Sequence, residues 1–283
     1  MKRAKQIFAL VGVFCLLSIY GMTMVFGLQK TESARAWFMA SLFATIVVPV
    51  IIYAMMMFAN FFLKDLEVES MKATIADKKK EMKDIKTVIF DVGKVLVTFE
   101  WEMFLRKTMK FDEETAKRIG KAMFSSENWR QMDKGVLPDQ DYLEQFIAND
   151  PDLEQEIRAT YERAGEIVEM APYALEWVKG LKQRGLKLYI LSNYSHNLYE
   201  QTKEKMEFIS LMDGCIWSYA HKTIKPEAEI YEKLLQSYQI DGKSCIYIDD
   251  LQENLDGAKA YGIHGILFTN YEEAAMQVEA YLE

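Results

Sequence analysis

Cysteine is scarce in this 283-residue chain: three thiols, Cys15, Cys215 and Cys245, cannot build a disulfide framework. The first lies in an apolar run and the others in short β-like runs, where a small buried thiol is the ordinary role. That usage fits a reducing compartment. A basic excess is lacking as well, with 34 Lys and Arg against 42 Asp and Glu. Phosphate backbones need Lys/Arg surfaces, so a general nucleic-acid partner is excluded. With half its residues hydrophobic, the chain is neither disordered nor collagen-like, and its length allows one or two domains.

A third absence is local. Residues 7–28 and 36–63 contain no charged side chain. Uncharged apolar runs of 18 residues or more are transmembrane candidates, and about 20 helical residues cross the hydrocarbon core. Backbone groups must pair internally in lipid, so both runs are expected to be helices, with Pro49 tolerated as a local kink. Lys2, Arg3 and Lys5 would suit a signal peptide. The first run is too long for one, though, lacks a small-residue cleavage site, and is followed seven residues later by a second run. Residues 1–63 are therefore expected to form a transmembrane hairpin in the lipid bilayer. Basic residues flank it on both outer sides: Lys2, Arg3 and Lys5 before, Lys64, Lys72 and Lys78–Lys80 after. The positive-inside rule then puts both termini and the rest of the chain in the cytoplasm.

Whole-chain averages conceal this division. Residues 1–63 hold six charges, five of them basic, whereas the remaining 220 residues carry 29 basic and 41 acidic side chains. Residues 64–86 read as a charged helical linker. Val68, Met71, Ile75, Met82 and Ile85 follow a heptad-like spacing with Lys78 in the seam, enough for a weak homodimer contact at most. A solvated juxtamembrane helix is the simpler expectation, with Lys78–Lys80 near anionic headgroups.

From residue 87 to 283 short β-branched runs alternate with helical stretches. Strands are expected at Thr87–Asp91, Leu186–Leu191, Cys215–Ser218, Cys245–Ile248 and Gly265–Phe268. Helices are expected at Ala174–Gln183, Leu198–Lys205, Glu227–Ser237 and Asn254–Ala260. Such alternation predicts an α/β fold with a parallel, Rossmann-like sheet. Nearly 90 residues separate the first two strands. They read as helical throughout (Glu102–Met109, Glu113–Met123, Asp139–Ala148, Leu153–Val168), an inserted cap over about 101–170 that overhangs the carboxyl ends of the strands.

The chemistry-bearing residues sit at those strand ends: Asp91 in VIFDVGKVLV, Ser192 and Asn193 in LYILSN, Lys225 in TIKPEAEIY, and Asp249 and Asp250 in IYIDDLQEN. Singly, each is a turn former, a helix cap or a solvated lysine. Parallel topology brings all four segments to one edge. There Asp91 is available as a nucleophile, and Asp91 with Asp250 offers oxygen ligands to Mg²⁺. The Ser192 hydroxyl and the Asn193 N–H can grip phosphoryl oxygens, and Lys225 can neutralise their charge.

At these residues the sequence resembles the haloacid dehalogenase superfamily over about residues 87–272. The order hhhD, hhhSN, Lys-Pro-Glu and hhhDDxxxN matches that family's four motifs, and FDVGKVL resembles its FDxGxVL phosphatase branch with a helical type-1 cap. The segment from Trp129 to Gly135 is similar to that branch's cap pattern of an aromatic, an acidic residue and Gly, and Trp129 is a candidate for closing over substrate. The resemblance implies a phosphatase with Asp91 as nucleophile, Ser192 and Lys225 at the phosphate and Asp250 on Mg²⁺. It also implies Asp249 in the metal's inner or outer sphere, the carbonyl of Gly93 as a further ligand, and Asn254 as support. The substrate implied is a small phosphorylated metabolite. One departure stands out: most family phosphatases carry a second Asp, the general acid–base, where this chain has Gly93. Lys94, His196 and His221 are the candidates for a substitute. A dehalogenase, or a degenerate module that senses phosphate or serves as a scaffold at the membrane, are the alternative readings.

Overall fold

The computed structural model describes residues 85–282 throughout and ten helical positions between Ser18 and Phe58. The chain divides into two compact units, Met1–Thr74 and Ile75–Glu283. In the first, Met39, Phe43, Tyr53 and Phe58 are helical and 63–70% exposed. No helix among the described residues is long and apolar enough to cross a membrane. Of the spans expected at 7–28 and 36–63 only those ten positions are described, and of the linker at 64–86 only Ile85 and Lys86.

The second unit is built on five parallel strands: β1 (Thr87–Phe90), β4 (Lys187–Ser192), β5 (Gly214–Trp217), β6 (Cys245–Asp249) and β7 (His264–Leu267). Their order is β5-β4-β1-β6-β7. Strands buried on both faces read as near-continuous apolar runs, and TVIF and CIYID are wholly buried. The period of two still sorts the faces. Val88, Phe90, Leu188, Ile190, Ile246 and Ile248 join one core cluster. Ile89, Tyr189, Leu191, Cys245 and Tyr247 join the other. Because the chain runs outward from β1 to β5 and then returns to the far side of β1, the sheet reverses direction between β1 and β6. Ligands of open α/β sheets bind at such a reversal.

Two short strands absent from the sequence expectation, β2 (Val97–Phe99) and β3 (Val168–Met170), pair antiparallel. They form the neck of the insert. Above it lie α1 (Trp101–Met103), which runs into a π-helical turn, then α2 (Glu113–Ala122), α3 (Glu127–Lys134), α4 (Asp139–Asn149) and α5 (Glu154–Glu162). Helix α3 is also new. Ser126 caps its first turn by accepting from Trp129 N–H, and Gly135 ends it at φ 68°. The single helix expected over Leu153–Val168 is instead α5, a 3₁₀ turn at Ala164–Ile167, and the first residue of β3. The interruption has a local cause. Gly165 donates its N–H to the Gln201 side chain at 2.8 Å, and a Cβ there would lie 2.6 Å from Gln201.

The remaining helices pack against the sheet: α6 (Ala174–Gln183), α7 (His196–Thr202), α8 (Ser218–His221), α9 (Ala228–Tyr238), α10 (Gln252–Lys259) and α11 (Tyr271–Leu282). Helices α8 and α11 were not expected from the sequence, and Ser218, read there as the end of a strand, begins α8.

Candidate active site

Register sets the site. Phe90 pairs with Ile190 on one side and Ile248 on the other, so Asp91 leaves β1 beside Leu191 and Asp249. Its N–H still donates to Ile248 O at 2.9 Å. Asp91 Oδ1 accepts from Ser192 Oγ at 2.7 Å and from Lys225 Nζ at 2.8 Å, while Oδ2 accepts no hydrogen bond among the described residues. The free oxygen is the one available for chemistry.

Lys225 is buried, 3% exposed, and its ammonium is fully engaged. It donates to Asp91, to Asp249 Oδ2 at 2.7 Å and to Leu191 O at 3.0 Å. Asn193 holds its backbone from both sides: Lys225 N–H donates to Asn193 Oδ1 at 2.8 Å, and Asn193 Nδ2 donates to Lys225 O at 3.1 Å. The Asn193 side chain thus positions the lysine loop.

Asp249 and Asp250 are adjacent and differently placed. Asp249 is fully buried and saturated with donors: Lys225, the Tyr247 hydroxyl, Leu251 N–H and the Asn254 amide. Asp250 is 20% exposed at the side chain, with the Lys94 ammonium 3.9 Å away. Tyr247 was not anticipated as a site residue. It stands two residues before Asp249 on β6 and therefore on the same face, and its ring also lies 5.6 Å under the Lys225 ammonium. The strand period is the signal that finds it. Asn254 Oδ1 is buried without a partner among the described residues.

Three carboxylates face one ammonium. Burial raises the Asp91 carboxyl to about 6, with Asp249 and Asp250 adding to the rise and Lys225 opposing it. Burial pulls Asp249 the same way, but the neighbouring Lys225 outweighs it and holds that carboxyl below its usual range. Asp250 is raised by burial and by Asp249. Burial alone would lower Lys225, yet the two carboxylates raise it. Oxygens of Asp91, Asp249 and Asp250 lie within 4.8 Å of one another, a set that can hold a cation. The excess of two negative charges over Lys225 suits a divalent ion and a hard oxygen-ligand site.

The other sequence candidates are placed elsewhere or left bare. Gly93 has no atom within 4 Å of where a Cβ would be. Lys94 is in the left-handed region at φ 59° and its side chain is 62% exposed. Trp129 packs in the cap's aromatic cluster with Phe99, Phe124 and Phe146 at centroid distances of 4.8–6.1 Å. His196 pairs with Asp139 across the seam between cap and core at 2.7 Å. His221 is lowered by burial and by the charge of Lys233. Neither histidine contacts Asp91 or Lys225. A cap residue passed over as a functional group, Asp133 near the end of α3, does feel both of their charges.

A profile of the haloacid dehalogenase-like hydrolases matches residues 85–262. Among curated proteins, the chain is similar to a sesquiterpene phosphatase of Aspergillus oryzae, 25% identical over 68% of this chain and 94% of that one. It is also similar to a phosphatase of Mycobacterium tuberculosis, 22% identical over 65% of this chain and 87% of that one. Among solved structures it resembles a Bacteroides thetaiotaomicron enzyme of the same superfamily, crystallised with magnesium and inorganic phosphate. That match has a TM-score of 0.52 at 21% identity and covers 65% of this chain and 93% of that one. At that identity the structural likeness is one of fold.

Proposed function

Since the chain belongs to the haloacid dehalogenase-like hydrolases, we propose that it is a membrane-anchored, Mg²⁺-dependent phosphatase of a small phosphate ester. The observation that carries this is the asymmetry of Asp91. One oxygen is tied to Ser192 and Lys225, and the other is left free at the reversal point of the sheet. Two curated relatives named as phosphatases support the same reading.

Each residue then has a task. Asp91 Oδ2 attacks phosphorus and forms an aspartyl-phosphate, which water cleaves. The Ser192 hydroxyl and the Asn193 N–H receive phosphoryl oxygens. Lys225 carries positive charge to the equatorial oxygens of the transferring group, where its preorganised ammonium is most effective. Tyr247 and Asn254 hold Asp249, and Asp249 in turn aims Lys225. Asp91, Asp250 and the carbonyl of Gly93 would hold Mg²⁺, with Asp249 acting from behind because its acceptor positions are taken. When bound, the ion neutralises negative charge on the phosphoryl group. The three-carboxylate set supports a phosphatase over a dehalogenase, which needs no cation. The retained Asp91–Lys225–Asp249 triad, buried against its desolvation cost, favours an active site over a scaffold.

Anchoring is proposed from the two uncharged runs at 7–28 and 36–63 and from the exposed apolar side chains between Met39 and Phe58. The basic flanks support a cytoplasmic side for the catalytic unit.

The test is phosphate release by the full-length chain from sugar phosphates, nucleotides, a prenyl phosphate and p-nitrophenyl phosphate, with Mg²⁺ and with EDTA. Turnover on one or more esters that EDTA and Asp91→Asn both abolish is expected. Turnover indifferent to either treatment refutes the mechanism, and none on any ester refutes the activity.

A further inference from the structure

The site as described lacks a group that moves protons. Gly93 supplies no side chain, and the space beside it is open. Lys225 spends its ammonium on Asp91, Asp249 and Leu191, and Asp249 is saturated with donors. His196 and His221 belong to other contacts.

One further carboxyl stands on the turn of the cap that Ser218 ties to the segment after β4. Asp133 is the penultimate residue of α3, partly buried, and close enough to Asp91 and Lys225 for both charges to act on it. The Tyr194 hydroxyl, just past β4, feels Asp133 and Asp91 together. The Asp133 carboxyl has no hydrogen-bond partner among the described residues; its backbone carbonyl accepts from Ser218 Oγ at 2.6 Å.

The position is held rigidly. Ser218 Oγ also receives Tyr194 N–H at 2.9 Å, which ties the end of α3 to the segment after β4. Lys134 reaches across to Glu227, of the Lys-Pro-Glu motif, at 2.8 Å, and Lys222 donates to Gly135 O. Gly135 itself sits against Tyr219, where a Cβ would fall 2.8 Å from the Tyr219 backbone. These contacts tie the last turn of the cap helix to the loops that carry Ser192 and Lys225.

The surroundings favour the acid form. Burial and the Asp91 carboxylate raise the Asp133 carboxyl to about 8, and the negative end of the α3 dipole acts in the same direction. A neutral acid at neutral pH, beside an ionised nucleophile, is the arrangement that lets one carboxyl donate while the other attacks.

We propose that Asp133 is the proton-transfer residue of this site, an assignment that rests on the phosphatase reading above. As Asp91 Oδ2 bonds to phosphorus and the bond to the ester oxygen breaks, the Asp133 acid gives that oxygen its proton and the alcohol leaves. The resulting Asp133 carboxylate then takes a proton from the water that attacks phosphorus. Inorganic phosphate is released, and both Asp91 and the Asp133 acid are restored.

The experiment uses the full-length chain with Mg²⁺, as wild type, Asp133→Asn and Asp133→Glu, on p-nitrophenyl phosphate and phenyl phosphate. General acid–base help is typically worth about 10²–10⁴-fold. For Asp133→Asn, a loss in that range is expected on phenyl phosphate, whose leaving group needs the proton. On p-nitrophenyl phosphate a burst of one nitrophenolate per enzyme should precede slow turnover, because only the second step still lacks its base. The fall of wild-type kcat/KM for phenyl phosphate on the alkaline side should vanish in the Asn variant, and Asp133→Glu should restore part of the rate. Binding of inorganic phosphate, read by its inhibition constant, should stay within threefold and thereby report an intact fold. A rate within threefold of wild type on both esters, or an equal loss on both with no burst, overturns the proposal. If Asp91→Asn is inactive while Asp133→Asn is not, this assignment alone falls. If wild type hydrolyses neither ester nor any in the wider panel, both fall.

Discussion

Asp133→Asn should strengthen the fold while it disables the site. In the folded chain the carboxyl is raised from 3.8 to about 8 by burial and by Asp91. Unfolded, it titrates near its ordinary value. Between those two values the folded state keeps a proton that the unfolded state has released, so stability falls as pH rises through the window. Each pH unit above the unfolded value takes up to about 1.4 kcal/mol, which accumulates to at most about 4 kcal/mol at pH 7. Asparagine carries no such proton. A partly buried carboxyl keeps some water, and we expect an advantage of about 1–3 kcal/mol for the Asn chain at pH 7. For a folded unit of this size that is about 2–4 °C in melting midpoint per kcal/mol. Melting curves of the full-length chain by circular dichroism at pH 5, 6, 7 and 8 make the measurement. The gap should widen steadily with pH. An Asn chain that melts below wild type at pH 8, or a gap that does not change with pH, refutes the reasoning, since either would mean that the carboxylate is a structural partner in the fold.

Three further outcomes follow from the same contacts. Tyr247→Phe removes one donor from buried Asp249 and should cost about 1.5–3 kcal/mol in urea unfolding, with kcat lowered because Asp249 aims Lys225. Gly242→Ala would put a Cβ 2.1 Å from the Tyr261 backbone oxygen, so a loss of about 1–3 kcal/mol is expected by the same assay. Lys134→Ala cuts the tie between α3 and Glu227. The pair is half-exposed and worth little to stability, so the expected effect is a raised KM with a melting point nearly unchanged.

How much of this was legible beforehand depends on whether a residue's neighbours lie close in the chain. The parallel α/β class followed from alternating β-branched and amphipathic stretches. Asp91, Ser192 and Asp249 each announce themselves at the end of a strand run, and Lys225 by the Lys-Pro-Glu motif just before a helix. The neck strands β2 and β3 did not, because three-residue strands 68 residues apart have no local period to read. Leu153–Val168 carried a helical pattern that Gly165 and its contact with Gln201 broke. Tyr247 was legible in principle from its place two residues before Asp249.

Motif order and hydrophobic period, then, were enough to determine the fold class, the strand-end carboxylates and the two uncharged runs, since each depends on residues near one another in sequence. Only the tertiary structure decided which Asp91 oxygen is free, that Asp249 is saturated while Asp250 is open, and that Trp129 packs inside the cap. It alone tied the end of α3, with Asp133, to the segment after β4. The reason is physical: charge state and hydrogen-bond supply are set by burial and by partners tens of residues away, as when Asp133, 42 positions beyond Asp91, is held in place by Ser218.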